Sequence, residues 1–100
     1  MGVTFFAVNG KTLDMNHPAK DILDRITAFY WELLGIPSKL TKKETLYISR
    51  ILKNFIHLQT VGDPIFFKVW HLPIEDKEDL KYWKKVYRFF KESGGIKKRV

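Results

Sequence analysis

The chain contains no cysteine among its 100 residues. That absence excludes a disulfide-stapled scaffold, a thiol nucleophile and a zinc site built on thiolates. A packed apolar core must therefore hold the fold, and the composition can supply one, since 45% of the residues are hydrophobic and 15% are aromatic. A chain of this length is expected to form a single domain.

Long hydrophobic runs are also missing. The apolar stretches extend over a few residues, whereas a membrane-spanning helix needs about 18 to 20. The first residues carry no basic segment of the kind that opens a signal peptide, and Phe6 stands where a myristoylation pattern requires Ser or Thr. These absences predict a soluble cytoplasmic protein with no membrane partner.

Catalytic and metal-binding motifs are equally absent. The three histidines, His17, His57 and His71, lie far apart and form no pair at the spacing of helical metal ligands. Neither a GxSxG nucleophile motif nor a glycine-rich phosphate loop occurs. The acidic cluster at 75–79 lacks the alternation of a calcium loop and lies where helix-capping acids are expected. We therefore expect a protein that is not an enzyme and that holds no metal or cofactor.

Positive charge is concentrated near the C-terminus. The chain carries 18 Lys and Arg against 11 Asp and Glu, a formal net charge of +7. Residues 77–100 contain nine of those cations and three of the anions. Such a segment favours an anionic partner, whether nucleic acid, an acidic protein surface or lipid headgroups.

Apolar residues at three- and four-residue spacing predict four helices. The first covers about 18–34, and the second opens on a capping box formed by Thr41 and Glu44. A short third helix is predicted over 63–72, with a buried strand as the weaker alternative. The fourth is predicted over 76–93, where a pair of glycines ends it.

The two ends of the chain carry weaker signals of extended structure. Residues 3–13 are rich in Val, Phe and Thr around Asn9-Gly10, a pair typical of a type I′ hairpin, although an extended arm is an equal alternative. The fold class predicted from all these elements is mainly α. It is a compact four-helix domain with an N-terminal arm or hairpin over 1–15, a helical core over 16–93 and a basic tail over 94–100.

The fourth predicted helix separates its side chains by character. At about 100° per residue, apolar side chains cover about half of its circumference, and six cations fall within a separate arc of about 120°. With the three cations of the tail, the candidate nucleic-acid-binding residues are Lys77, Lys81, Lys84, Lys85, Arg88, Lys91, Lys97, Lys98 and Arg99. A solvated lysine-rich face is the structural alternative, but within the arc only Glu92 opposes the cations. We interpret the arc as a phosphate-contacting surface, and its excess of lysine favours diffuse phosphate contact over base reading.

The aromatic side chains of this helix have two interpretations. Trp83, Tyr87 and Phe90 could stack on the bases of a single strand, but their spacing favours packing into the core. Tyr82 and Phe89 lie at the edges of the apolar face. They are therefore expected to be the more exposed aromatic residues.

The chain from residue 40 onward resembles a helix-turn-helix of the winged-helix kind, as found in small DNA-binding proteins of bacteriophages. The residues that carry the resemblance are LTKKETLYISRIL (40–52), PIFFKVWHL (64–72), the tight connection at 73–75 and EDLKYWKKVYRFFKESGGIKK (78–98). The resemblance implies that the fourth helix enters the major groove and leads into a wing strand. On that mapping the contacts to DNA come from Lys77, Lys81, Lys84, Lys85 and Arg88.

Three features depart from this pattern. The turn carries Pro73 in place of a glycine, acidic residues open the fourth helix, and the tail has no second wing strand after it. The N-terminal segment could supply that strand. We therefore expect residues 3–8 to pair with 96–100.

The sequence thus predicts a small non-enzymatic DNA-binding protein whose main partner is double-stranded DNA. The resemblance implies a bacteriophage regulator, accessory factor or packaging protein, located in the host cytoplasm or in the virion. The alternative is a structural, assembly or inhibitory phage protein that docks its basic helix on an acidic protein surface.

Overall fold

The computed structural model describes residues 2–31, 36–61 and 77–100. These ranges contain three helices and one three-stranded antiparallel sheet. In chain order the elements are β1 (Gly2–Ala7), β2 (Thr12–Asn16), α1 (His17–Trp31), α2 (Lys42–Val61), α3 (Lys77–Glu92) and β3 (Ile96–Arg99). The prediction of a mainly α, four-helix domain is wrong, because the chain forms a mixed α/β fold. The short helix predicted over 63–72 lies outside the described residues.

The sheet joins the two ends of the chain. Its strand order is β2-β1-β3, so β1 pairs antiparallel with both neighbours. Phe5 pairs with Arg99, and Thr4 and Val100 exchange backbone hydrogen bonds of 2.9 Å in both directions. The predicted pairing of residues 3–8 with 96–100 is thereby confirmed.

Alternating apolar residues explain why these segments form a sheet. Five side chains on its inner face are at most 2% exposed: Phe5, Ala7, Leu13, Met15 and Ile96. The ring of Phe5 meets the ring of Phe90 from α3 edge to face, with centroids 5.6 Å apart. An isolated hairpin is marginal in water, and the third strand comes from the far end of the chain. That long-range pairing is why local patterns led to a mainly α prediction.

The hairpin predicted at Asn9-Gly10 is confirmed, but its turn differs. The loop contains three residues, 8–10, in place of the two of a type I′ turn. The amide of Gly10 donates to the carbonyl of Ala7 at 3.1 Å, and the amide of Ala7 donates to the carbonyl of Lys11 at 2.9 Å. Gly10 has a φ of 89°, which is the left-handed conformation that closes a three-residue hairpin loop.

Side-chain caps define where α1 and α2 begin. The side-chain carbonyl of Asn16 accepts a hydrogen bond from the amide of Ala19 at 2.9 Å, at the start of α1. At α2, the hydroxyl of Thr41 accepts from the amide of Glu44 at 3.2 Å, and the Glu44 carboxylate accepts from the amide of Thr41 at 2.9 Å. These reciprocal bonds confirm the predicted capping box.

The hairpin loop caps the C-terminal end of α3. The side-chain amide of Asn9 donates to the carbonyl of Glu92 at 2.9 Å, and its backbone amide donates to the carbonyl of Ser93 at 3.1 Å. The amide of Val8 donates to the carbonyl of Gly95 at 2.9 Å. Because the last carbonyls of a helix have no partners within it, these bonds tie the end of α3 to the sheet.

Gly95 allows the segment before α2 to approach β3 closely. Leu40 and Ile96 exchange backbone hydrogen bonds of 3.0 and 2.9 Å, so Leu40 lies on the edge of β3 that β1 leaves free. Gly95 has a φ of 123°, and a Cβ atom on it would stand 2.9 Å from the carbonyl oxygen of Leu40. Both the backbone conformation and the contact therefore require glycine.

Replacing Gly95 by alanine tests this close approach, with Gly10→Ala as the control. Both glycines have positive φ, so both variants carry the strain of a side chain in that region, about 1–2 kcal/mol. A Cβ at position 10 would meet no atom within 4 Å. We expect Gly95→Ala to lower the free energy of unfolding by about 1–2 kcal/mol more than Gly10→Ala in urea denaturation. Equal losses would contradict the close packing at Leu40.

The cap on α3 is tested by Asn9→Ala. The variant removes the bond to Glu92 and the 2.9 Å bond that the Asn9 side chain accepts from the amide of Lys11. We expect it to lower the free energy of unfolding by about 1–3 kcal/mol, at 0.5–1.5 kcal/mol for each bond. The matched control is Asn54→Ala at an exposed position of α2, where alanine favours the helix. Losses of the same size in both variants would exclude a capping role for Asn9.

Candidate nucleic-acid interface

The buried face of α3 determines which way its cations point. Trp83, Val86, Phe89 and Phe90 are buried, and the Phe89 and Phe90 rings meet edge to face at 5.3 Å. The expectation that Phe89 is exposed is wrong, because Phe89 is 8% exposed and packs beside Phe90 next to the hairpin residues 11–13. The prediction that Trp83 and Phe90 pack into the core is confirmed. With this face held in the core, the opposite face of α3 is directed to solvent.

All six predicted cations of α3 are exposed on that outward face. We call this set the cationic arc, and it consists of Lys77, Lys81, Lys84, Lys85, Arg88 and Lys91. Within the described ranges the only ion pair is between Lys20 and Asp24, both on α1. The arc therefore presents its positive charge to solvent without a carboxylate partner from the described part of the chain.

The three tail cations lie in different environments. Lys97 is exposed, at the irregularity where the β1–β3 register shifts. Lys98 is exposed with its ammonium 4.8 Å from the centroid of the Phe6 ring. Since Phe5, the neighbour of Phe6, faces α3 through Phe90, strand alternation places Phe6 and Lys98 on the opposite face of the sheet. Lys98 is thus separated from the cationic arc.

Arg99 makes a structural contact. Its guanidinium donates to the carbonyl of Ile36 at 2.6 Å, and the side chain is half-buried. The amide of the same residue, Ile36, donates to the carboxylate of Asp24 at 3.0 Å. Arg99 therefore helps to hold the segment before α2 against the sheet. The sequence could not reveal this role, because Ile36 lies 63 residues away.

A groove between α2 and α3 extends the cationic surface. It is lined by Lys53, Ile56, His57, Lys84, Tyr87 and Arg88 and has a volume of about 340 Å³. We call it the α2–α3 groove. Lys53 and His57 lie one turn apart on α2, and Lys84 and Arg88 lie one turn apart on α3. The sequence analysis did not connect Lys53 or His57 to the cationic arc, because the packing of α2 against α3 is a tertiary contact.

A second groove lies on the other side of α3. Its lining residues are Lys11, Thr12, Leu13, Lys85, Arg88, Phe89 and Glu92, around about 450 Å³. Arg88 therefore lies on the crest between the two grooves. The hairpin contributes a cation to this side, Lys11, while Glu92 makes its charge mixed.

The first turn of α3 also carries two acidic side chains. Glu78 and Asp79 line a groove of about 510 Å³ together with Tyr82 and residues of α1. Burial raises the pKa of the Tyr82 hydroxyl above its ordinary value of 10.0. Acidic residues in the first turn stabilise the helix dipole, so this end of α3 has a structural reason for its charge. Glu75 and Asp76 of the predicted acidic cluster lie outside the described residues.

The described residues contain no group of three or more His, Asp or Glu side chains placed to hold a metal ion. His17 and His57 lie on α1 and α2, and His71 lies outside the described residues. None of the helices in the described ranges is both long and apolar enough to span a membrane.

Comparisons with models of protein families, with curated proteins and with solved structures find no match for this chain. Function must therefore be inferred from the surface itself. Its most distinctive feature is the cationic arc together with the α2–α3 groove.

Replacing Arg99 by glutamine tests whether its hydrogen bond to Ile36 stabilises the fold. We expect Arg99→Gln to lower the free energy of unfolding by about 1–2 kcal/mol, because it removes a charge-assisted hydrogen bond to a backbone carbonyl. The control, Lys97→Gln, removes the same charge at an exposed position and should change stability by less than about 0.5 kcal/mol. Both values are measured by urea denaturation. If the two variants are equally stable, the contact with Ile36 does not support the fold.

Proposed function

We propose that this protein is a non-enzymatic nucleic-acid-binding protein whose cationic arc contacts the phosphates of double-stranded DNA. The observation that carries the proposal is the exposure of six cations on one face of a helix whose other face is held in the core. A rigid helix presents these charges at fixed spacing, which suits a polyanion of regular repeat.

The dimensions of the arc suit several phosphates at once. From Lys77 to Lys91 the helix rises by about 21 Å, at 1.5 Å per residue. Along one strand of B-DNA a phosphate occurs about every 3.4 Å of helix axis. The lysine-rich composition of the arc favours contact with phosphates over bidentate reading of base edges.

Such an arc is unfavourable for an isolated helix. Lys77, Lys81 and Lys85 follow one another at four-residue spacing, and Lys84 and Arg88 repeat that spacing. Like charges at this spacing destabilise a helix by about 0.2–0.5 kcal/mol per pair. A purely solvated face would be more stable with alternating signs, so the uniform charge supports an anionic partner.

The acidic protein surface is the second candidate partner. The ammonium group of lysine is a compact point charge that also pairs with carboxylates, and half-buried Tyr82 and Tyr87 flank the arc. Regulatory, accessory or packaging roles in a bacteriophage stay predictions that follow from the resemblance.

The proposal is tested by fluorescence anisotropy with a labelled duplex over a series of salt concentrations. If all six cations meet phosphates, log K should fall with log salt at a slope of about −5, from about −0.9 for each contact. The triple variant Lys81→Glu/Lys84→Glu/Arg88→Glu should abolish binding, since three attractive contacts become repulsive.

The matched control reverses three exposed cations elsewhere, as Lys39→Glu/Lys42→Glu/Lys43→Glu. It changes the net charge by the same amount, so it should retain most of the wild-type affinity if the arc is the binding surface. Equal losses of affinity in both triple variants would show that binding depends on net charge and not on the cationic arc. An absence of duplex binding at low salt, with the protein folded, would reject the proposal in favour of an acidic protein partner.

A further inference from the structure

The α2–α3 groove brings together two pairs of basic side chains from different helices. Lys53 and His57 of α2 and Lys84 and Arg88 of α3 are all exposed and line the same space of about 340 Å³. Each pair is separated by four residues, which is about one helical turn. The groove therefore presents exposed cations from both of its walls, Lys53 on α2 and Lys84 with Arg88 on α3.

None of the described residues that line this groove carries a carboxylate, which distinguishes it from the grooves beside it. Glu92 lines the groove next to the hairpin, and Glu78 and Asp79 line the groove at the start of α3. A cleft lined by charges of one sign raises the local concentration of oppositely charged ligands. Of the three grooves beside α3, the α2–α3 groove is therefore the most favourable for an anionic ligand.

The lining also includes apolar surface. Ile56 is 8% exposed and belongs to the core, so it forms a fixed floor. Tyr87 is half-buried against the same core, and the ammonium of Lys91 lies 5.6 Å from the centroid of its ring. A simple inorganic anion would use the cations and leave this apolar surface uncovered.

We propose that the α2–α3 groove binds one nucleotide unit. The phosphate lies between Lys53 of α2 and the cations Lys84 and Arg88 of α3, and the sugar and base pack against Ile56 and Tyr87. Arginine and lysine are the side chains that bind phosphate most effectively, and a volume near 300 Å³ is at the lower end of small-ligand sites. A mononucleotide carries both a phosphate for the cationic side chains and a ring for the apolar side chains of the groove.

The nucleotide unit in the groove can be a free nucleotide or an unpaired nucleotide of a longer nucleic-acid chain. The second source rests on the proposed function, since the cationic arc would guide the polymer to the groove. A nucleotide inside a regular duplex keeps its base stacked and paired, so it can offer the groove a phosphate but no ring. The site therefore favours an unpaired or terminal nucleotide over the interior of a duplex.

The first experiment is a titration of the ¹⁵N-labelled protein followed by NMR, with adenosine monophosphate and with inorganic phosphate as separate probes. Adenosine monophosphate should shift the amides of residues 53–57 and 84–88 and should bind more tightly than inorganic phosphate. Tyr87→Leu should weaken binding of the nucleotide by about threefold to tenfold and leave inorganic phosphate unchanged, because it removes ring contact alone.

The cation wall is tested by Lys53→Gln, with Lys43→Gln as its control. Both lysines are exposed on α2, but only Lys53 lines the groove. We expect Lys53→Gln to weaken binding of adenosine monophosphate by about threefold to tenfold, as expected for loss of one charge-assisted contact. Lys43→Gln should change it by less than twofold. Circular dichroism establishes that each variant is folded.

A second experiment distinguishes a free nucleotide from an unpaired nucleotide of a polymer. It measures the affinities of wild type and Lys53→Gln for a single-stranded oligonucleotide and for a fully paired duplex of equal length. A larger effect of Lys53→Gln on the single strand supports an unpaired nucleotide in the groove. Binding of adenosine monophosphate without binding of either polymer supports the free nucleotide and overturns the proposed function. The inference is overturned if the duplex binds in a salt-dependent way but adenosine monophosphate shifts no amide at the groove. It is also overturned if Lys53→Gln and Lys43→Gln have equal effects. Both outcomes leave the proposed function intact.

Discussion

The structure depends on how the last carbonyls of α3 are satisfied. The carbonyls of Glu92 and Ser93 accept hydrogen bonds from the side chain and the backbone of Asn9, and the loop that carries Asn9 also shapes the hairpin. Helix ends leave unpaired carbonyls that must find donors. By supplying them from the opposite end of the chain, the fold fixes α3 on the sheet. The buried face of α3 sets the direction in which the cationic arc points, and the bonds from Asn9 hold the end of that helix in place.

Burial of its apolar face explains how α3 tolerates the repulsion between its exposed cations. Cations repeated every four residues weaken a helix that stands alone, but α3 buries Trp83, Val86 and Phe90 against the rest of the core. Burial of a large apolar side chain contributes about 1.5–3 kcal/mol, which outweighs the repulsion between neighbouring exposed charges. Acidic residues in the first turn add a favourable interaction with the helix dipole. The uniform charge is thus compatible with a stable fold and is free to serve a partner.

The segment before α2 connects the basic surface to the tail. Ile36 is held by Asp24 of α1 and by Arg99 of β3, and Leu40 pairs with Ile96. These contacts fix the start of α2, which in turn places Lys53 and His57 beside α3. Arg99, which the sequence predicted for the partner surface, contacts a backbone carbonyl within the protein. Lys53 and His57, which were not predicted there, line the α2–α3 groove.

Local signals in the sequence were sufficient for the three described helices and for the cationic arc. A helix depends on contacts within three or four residues, so the Thr41 and Glu44 capping box, the glycines that end α3 and the separation of its two faces are all visible in the chain. The sheet was decided by tertiary structure, because β1 and β3 are brought together from opposite ends and a short strand has no stability without its partner. The fold class was wrong for that reason. Tertiary structure likewise decided that Phe89 is buried, that Arg99 binds a backbone carbonyl and that α2 shares a groove with α3, since each depends on neighbours far away in sequence.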